Sequence, residues 1–358
     1  MIVDILSIGL GGLLILWALN DVFQSVIVPR AVGDPLRASF QLRRFLWRLW
    51  PAIALRFYGD NEDRREDFLA IFAPATLIFF LLVWTATLIF GYGLIFYGLR
   101  GGLTPDVHGL GAATYFAGTS FTTIGFGDIA GRDWATRFFS ICAGVSGLAL
   151  FSITTAYLFA LFGAFQNREA FVVLIGARAG HPASGVNLLA VAGYAGVTDH
   201  FNALMYDAQR WTAIVMESHL AYGILGYFRS SHDYESWVGT LGTLLDAATL
   251  LMTTVDGVPC GQARIFYNIG RHATRDLSKY YHTHSVIEGP EVERAEFDHA
   301  CDRLANAGYT LHARDQAWER FSSLRSSYAP HLNAMARHFL IPPLQWIGDR
   351  STIHGLSR

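Results

Sequence analysis

Three apolar runs govern what this chain can fold into. They cover residues 2–28, 68–99 and 134–165. The first is interrupted near its ends by Asp4, Asn20 and Asp21. The second carries no charge, and the third holds only Arg137, near its start. A helix needs about 20 apolar residues to cross a bilayer, and the second and third runs have 32 each. As helices they would reach about 48 Å, longer than a hydrocarbon core of ~30 Å, so both are expected to tilt or protrude. Only 16% of the chain is charged, against about 25% in soluble domains. The opening run lacks the basic n-region and small-residue cleavage site of a signal peptide, so it reads as a retained span.

Arginine placement orients the spans. Arg30, Arg37, Arg43, Arg44, Arg48, Arg56, Arg64 and Arg65 lie between the first two runs, but only Arg100 and Arg132 between the second and third. The positive-inside rule then puts residues 30–66 in the cytoplasm. The N-terminus and residues 100–133 face out, and everything after about residue 166 is cytoplasmic, in a plasma or inner membrane. Arg37, Gln41, Arg44 and Arg48 recur at helical spacing, with Leu42, Phe45, Leu46 and Leu49 on the other face. This predicts a basic amphipathic helix, lying on the bilayer interface or packed on protein, which Pro51 ends or kinks. No span carries the repeated arginines of a voltage sensor. Asp21 is the odd polar residue of the first span, read as structural or interfacial. The net charge of −2 gives no basic field for nucleic acid. Lys279 as the sole lysine is a composition bias, and Cys142, Cys260 and Cys301 have no metal-type spacing.

Between the second and third spans, "RGGLTPDVHGLG" is loop chemistry and "AATYFAGTSFTT" is a helix too short to cross. A short apolar helix that enters and leaves on one side is re-entrant. The non-helical "TTIGFGD" behind it is tolerated at membrane depth only if buried in protein or lining a water path. Gly125 and Gly127 can take positive φ without a Cβ clash.

This order of span, short helix, T-T-I-G-F-G-D and span resembles the pore module of potassium channels over residues 68–165, with Thr123, Ile124, Gly125, Phe126 and Gly127 matching the family's T-V-G-Y-G filter. The resemblance implies an all-α membrane protein. Its parts are an N-terminal transmembrane helix (1–29), a basic segment (30–66), a pore module (67–166, with pore helix and filter at 110–128) and a cytoplasmic helical domain (167–358). It implies passive K⁺ conduction by a homotetramer, with no catalytic residue and no organic cofactor. K⁺ would sit on the carbonyls of Thr123, Ile124, Gly125 and Phe126 and the Thr123 hydroxyl, while Ile124 and Phe126 point outward and brace against the pore helix.

Two departures bear on filter support. Phe126 lacks the usual hydroxyl, and Thr119 stands where some relatives carry a glutamate facing the filter-end acid. Tyr115 is then the candidate partner for Asp128, with Phe116 the alternative aromatic and Thr122 leading into the filter. In the last span Gly147 is a hinge or a packing glycine, with Gly144 and Gly163 alongside. Leu148, Phe151 and Thr155 are placed to face the cavity. The other functional readings are a non-selective cation channel and a membrane-anchored sensor with a vestigial pore.

Residues 167–358 hold 12 of the 13 histidines, which raises a pH-sensing reading, and would meet an unknown cytoplasmic regulator. "VVLIGARAG" has the flavour of a strand and glycine turn but lacks G-x-G-x-x-G, so a dinucleotide fold is rejected. Apolar spacing predicts helices near 200–228, 234–255, 262–281, 291–308 and 313–340, ended by Gly308 and by Pro342-Pro343. Asp246 at the centre of 237–255 argues for a buried bundle helix, not a fourth span. Ser231 or Asp233 is the expected cap before it, and His282 and His284 read as loop residues, not metal ligands.

Overall fold

The computed structural model describes residues 1–28, 38–59, 61–180, 183–232, 235–283 and 292–347. Arg30, Arg37, Asp233 and His284 lie outside them. The described chain is helical apart from one pair of two-residue strands and divides into two compact units, Met1–Phe162 and Gly163–Arg358. Three helical stretches, Ile2–Ile27, Asp63–Gly98 and Trp134–Ala179, are long and apolar enough to cross a membrane.

In the first unit α1 (Ile2–Val22) lies against the long helix that follows two shorter ones, α2 (Ala38–Tyr58) and α3 (Glu62–Ala70). That long helix is α4 (Phe72–Gly98). Gly11 and Gly91 let the α1 and α4 backbones meet, since a Cβ at Gly11 would press on the Gly91 carbonyl. A polar tie closes each end of the pair. Arg100 donates to Asp4 at one end, and at the other buried Asp21 accepts from Trp84 Nε1 at 2.8 Å and Ser39 Oγ at 3.1 Å. Asp21 is therefore spent on structure. Its carboxylate joins α1, α4 and the start of α2, the form a buried acid takes where water cannot solvate it.

Helix α2 keeps Pro51 inside it, so of the two expectations, an end or a kink, the end does not occur. Its packed side is Trp47, Trp50 and Ala54, with Trp50 stacked on Phe68 at 4.8 Å, while Phe45 and Leu49 stay exposed.

Helix α5 (Leu110–Phe121) is flanked by β1 (Leu103–Thr104) and β2 (Ala130–Gly131), which pair antiparallel. Helix α6 (Trp134–Ala179) then runs 46 residues, with its last 17 in the second unit. "VVLIGARAG" is the end of α6, not a strand. Gly180 at φ +76° closes the helix, its N–H donating to the Gly176 carbonyl at 3.0 Å.

The second unit contains α7 (Gly185–Tyr194), α8 (Phe201–Ala221), α9 (Trp237–Thr253), α10 (Gly261–Tyr280), α11 (Arg294–Asn306), α12 (Arg314–Arg325) and α13 (Ala329–His338). Sequence spacing missed α7, whose short apolar run carries little periodicity. It also joined α12 to α13, which part before Pro330 at the α13 start. Every residue of α9 is buried in this unit. Its cap is Ser236, whose Oγ accepts from Gly239 N–H at 3.0 Å, so Ser231 is not the cap, and Asp233 lies outside the described residues.

Two buried charge sites hold this unit. Asp246 accepts from Arg325 Nε at 3.1 Å and Tyr328 hydroxyl at 2.7 Å, and Arg325 also donates to the Trp346 carbonyl. Burial pushes the Asp246 carboxyl up, and Arg325 opposes it. Arg168 on α6 donates to the carbonyls of Leu225 and Phe228 at 2.9 Å and pairs with Glu169 at 2.8 Å. His219 Nδ1 donates to the Val215 carbonyl at 2.7 Å, leaving Nε2 to face Arg168 Nη1 at 3.4 Å.

Asp246→Ala should strand the buried Arg325 charge and cost roughly 3–5 kcal/mol, read as a lower thermal midpoint of the purified protein. Replacing both partners by leucine should recover most of that loss. Burial first, and the Arg168 charge second, hold His219 well below the ordinary histidine pKa. Its folded value lies below its unfolded one, so stability is intact above about pH 6.5 and falls as pH drops below it. The thermal midpoint should therefore decline between pH 7 and 5, and His219→Gln should flatten that decline.

Candidate functional site

The segment after α5 is the place where non-helical backbone sits between two spans. Thr123, Gly125 and Gly127 have φ of +57°, +56° and +82°, while Ile124 and Phe126 between them do not adopt positive φ. Alternating the sign of φ turns successive peptide planes to the same side, which an ordinary strand cannot do. A Cβ at Gly125 or Gly127 would meet nothing within 4 Å. Glycine is thus required at these positions by φ alone, not by space. Thr123 holds the same conformation despite its β-branch, at a cost of about 1–3 kcal/mol. The sequence reading missed this, because threonine gives no signal for positive φ.

The start of this segment is tied to α5 by backbone. The Thr119 carbonyl accepts from Ile124 N–H at 3.0 Å and Gly125 N–H at 3.2 Å, and Ser120 O accepts from Thr123 N–H at 3.1 Å. The Thr119 hydroxyl is buried and turned to its own helix, donating to Phe116 O at 3.0 Å, and Thr122 donates to Gly118 O at 2.8 Å. Thr119 therefore supports the segment through its carbonyl, and its side chain does not replace a carboxylate. Tyr115, 44% exposed, has its hydroxyl beside Asp128. Phe116 faces the other way, packing edge-on against Phe96 of α4 at 4.7 Å.

The two ends of the loop are closed together. Leu103 pairs with Gly131, Arg132 N–H donates to Gly102 O at 2.7 Å, and Thr136 donates to the same carbonyl at 3.1 Å. Asp133 caps α6 by accepting from Thr136 N–H at 2.9 Å. A capping aspartate three residues before a threonine was legible in "DWAT", but its contact with Gly102 was not, since it joins residues 31 apart in sequence.

Helix α6 backs the segment through its glycines. A Cβ at Gly147 would fall inside the van der Waals shell of the Phe121 carbonyl, and one at Gly144 would touch Ser120 O at 3.4 Å. Of the two sequence readings for Gly147, close packing is the one the geometry favours. Gly163 has open space around it. Tyr92 on α4 shares a hydrogen bond of 2.8 Å with Ser146, tying the two spans beside this contact.

Several expected side chains have no cover from their own chain. Ile124 is 58% exposed and Phe126 68%, so the bracing expected from the pore helix is not made within one chain. Leu148 and Phe151 are exposed on α6, and Thr155 is half-buried. Among the described residues no three His, Cys, Asp or Glu side chains gather as a metal site.

Residues 77–163, about a quarter of the chain, match the family model described as ion channel. The voltage-gated potassium channel Kch of Escherichia coli (strain K12) is 31% identical over 96 residues, covering 26% of this chain and 22% of the relative. The match thus spans about a fifth of that protein's length. No solved structure matches the chain. The segment framed by α4 and α6 thus matches the ion-channel family model and is similar over this stretch to a potassium channel.

Gly147→Ala should push α6 away from the Phe121 carbonyl. Ion flux from reconstituted protein should fall at least tenfold while expression and membrane insertion hold. Gly163→Ala, with open space at its Cβ, should leave flux unchanged.

Proposed function

We propose that this ion-channel module conducts K⁺ passively through a backbone filter at Thr123–Gly127. The observation that carries the reading is the alternation of positive φ at Thr123, Gly125 and Gly127 directly behind a 12-residue apolar helix. Four copies place four such segments around an axis. The carbonyls of Thr123, Ile124, Gly125 and Phe126, with the Thr123 hydroxyl, then replace the hydration shell of K⁺. Neighbouring copies cover Ile124 and Phe126, which one chain leaves exposed. Asp128, held by Tyr115, marks the outer mouth, and Leu148, Phe151 and Thr155 face the water-filled cavity. The carbonyl end of α5 points its partial negative charge at that cavity.

The distribution of arginine supports an outward N-terminus and a cytoplasmic second unit. Exposed Phe45 and Leu49 beside exposed Arg44 and Arg48 suit the headgroup region of the inner leaflet. Passive conduction needs no catalytic group, and the second unit is where a cytoplasmic regulator would act.

The test is a reversal potential between K⁺ and Na⁺ solutions across bilayers holding the purified protein. The expected value lies near the K⁺ equilibrium potential, and Gly125→Ala should abolish flux. Near-equal permeability would overturn K⁺ selectivity and favour a non-selective cation channel. Unchanged function in Gly125→Ala would favour a sensor with a vestigial pore.

A further inference from the structure

The second unit holds an open cavity of about 530 Å³ between α10, α12 and the end of α9. That volume falls in the ~300–1,000 Å³ range of small-molecule sites. Its polar rim comes from two helix faces at i, i+4 spacing, Arg264 with Asn268 on α10 and Glu319 with Ser323 on α12. These four side chains make no hydrogen bond or ion pair with any described residue. Arg294, Arg314 and Arg325 of this unit, in contrast, each hold a carboxylate. Arg320 adds a second cation, with Nη2 donating to the Met252 carbonyl at 3.0 Å and its other donors left over. The apolar part is Met252, Tyr267 and Leu324, and Tyr267 is fixed in place by its hydroxyl on Leu324 O at 3.0 Å.

Exposed polar side chains on two helix faces border this open cavity, with Met252, Tyr267 and Leu324 as its apolar part, the mix of polar and apolar lining found in small-molecule sites. The charge pattern states which molecule. Two guanidinium groups suit an oxyanion, which they bind in paired hydrogen bonds. Glu319, free of any cation within ion-pair distance, accepts from a ligand hydroxyl. The apolar side chains take the flat face of a ring. A bare phosphate would leave Glu319 and the floor unused.

We propose that this cavity binds a small phosphorylated molecule with a hydroxylated ring body, of sugar phosphate or mononucleotide size. The phosphate lies on Arg264 and Arg320, and a ring hydroxyl donates to Glu319. Asn268 and Ser323 complete the polar contacts. The site uses no residue of the pore module, and binding is read without ion flux, so its failure and a failure of the pore reading are separate results.

The experiment is calorimetric titration of the full-length, detergent-purified chain with AMP and with glucose 6-phosphate. Inorganic phosphate and adenosine serve as the part-molecule controls. At least one phosphorylated probe should bind saturably, and at least tenfold more tightly than either control. Arg264→Ala, an exposed side chain whose loss leaves the fold intact, should weaken that probe at least tenfold, and Glu319→Gln should weaken it with the thermal midpoint unchanged. No saturable binding of either probe would overturn the proposal. So would affinity unchanged in Arg264→Ala, or inorganic phosphate binding as tightly as the probes.

Discussion

A backbone amide left unpaired at membrane depth costs several kcal/mol, and the first unit is arranged around that cost. Its spans meet the requirement as helices. The segment after α5 cannot, because a helix turns its amides and carbonyls into its own ladder and offers none to an ion. The structure pairs its leading amides with the Thr119 and Ser120 carbonyls and closes the loop ends with β1 and β2. It then seats the turn of α5 into the segment on α6, where Gly144 and Gly147 allow close approach. The positive φ values at Thr123, Gly125 and Gly127 persist because this surround over-determines them.

The second unit solves a different problem, that of burying charge in a helical core. Asp246 would be untenable at the centre of α9 without Arg325 and Tyr328, and Arg168 would be so without Glu169 and two loop carbonyls. Such pairs give little net stability but make their neighbours costly to move. Arg168 ties α6 to the 225–228 turn within this unit. A change in the 225–228 turn would have to break or carry Arg168. His219 adds an uncharged neighbour that acid would convert to a repelling one. This gives the histidine-rich half a specific residue for a pH effect, one of stability rather than of an exposed sensor.

Much of the architecture was legible in the residues. Long uncharged runs leave a chain few options but spans, and a 12-residue apolar helix between two of them is too short to cross. Glycine at 125 and 127 announced an unusual backbone, because no other residue takes positive φ without a Cβ penalty. Asp246 in an apolar run announced a buried partner without saying which. Where the reading failed, local propensity lost to context. Pro51 did not stop α2, "VVLIGARAG" stayed helical, and the cap of α9 fell on Ser236, nearer the helix than the residues first suggested.

The sequence by itself determined the long apolar helices, the short apolar helix between two of them and the unusual backbone at Gly125 and Gly127, because each depends on hydrophobic length or backbone sterics over a few neighbouring residues. Tertiary structure alone decided what those parts rest on. Thr119 acts through its carbonyl, Gly147 packs on Phe121, Tyr115 reaches Asp128, Asp21 joins Trp84 to Ser39, and Arg264 shares a cavity with Arg320. Each of these is a meeting of groups that lie apart along the chain or on different faces of their helices. Spacing cannot reveal it, since it is set by how whole helices pack and not by the order of residues within one.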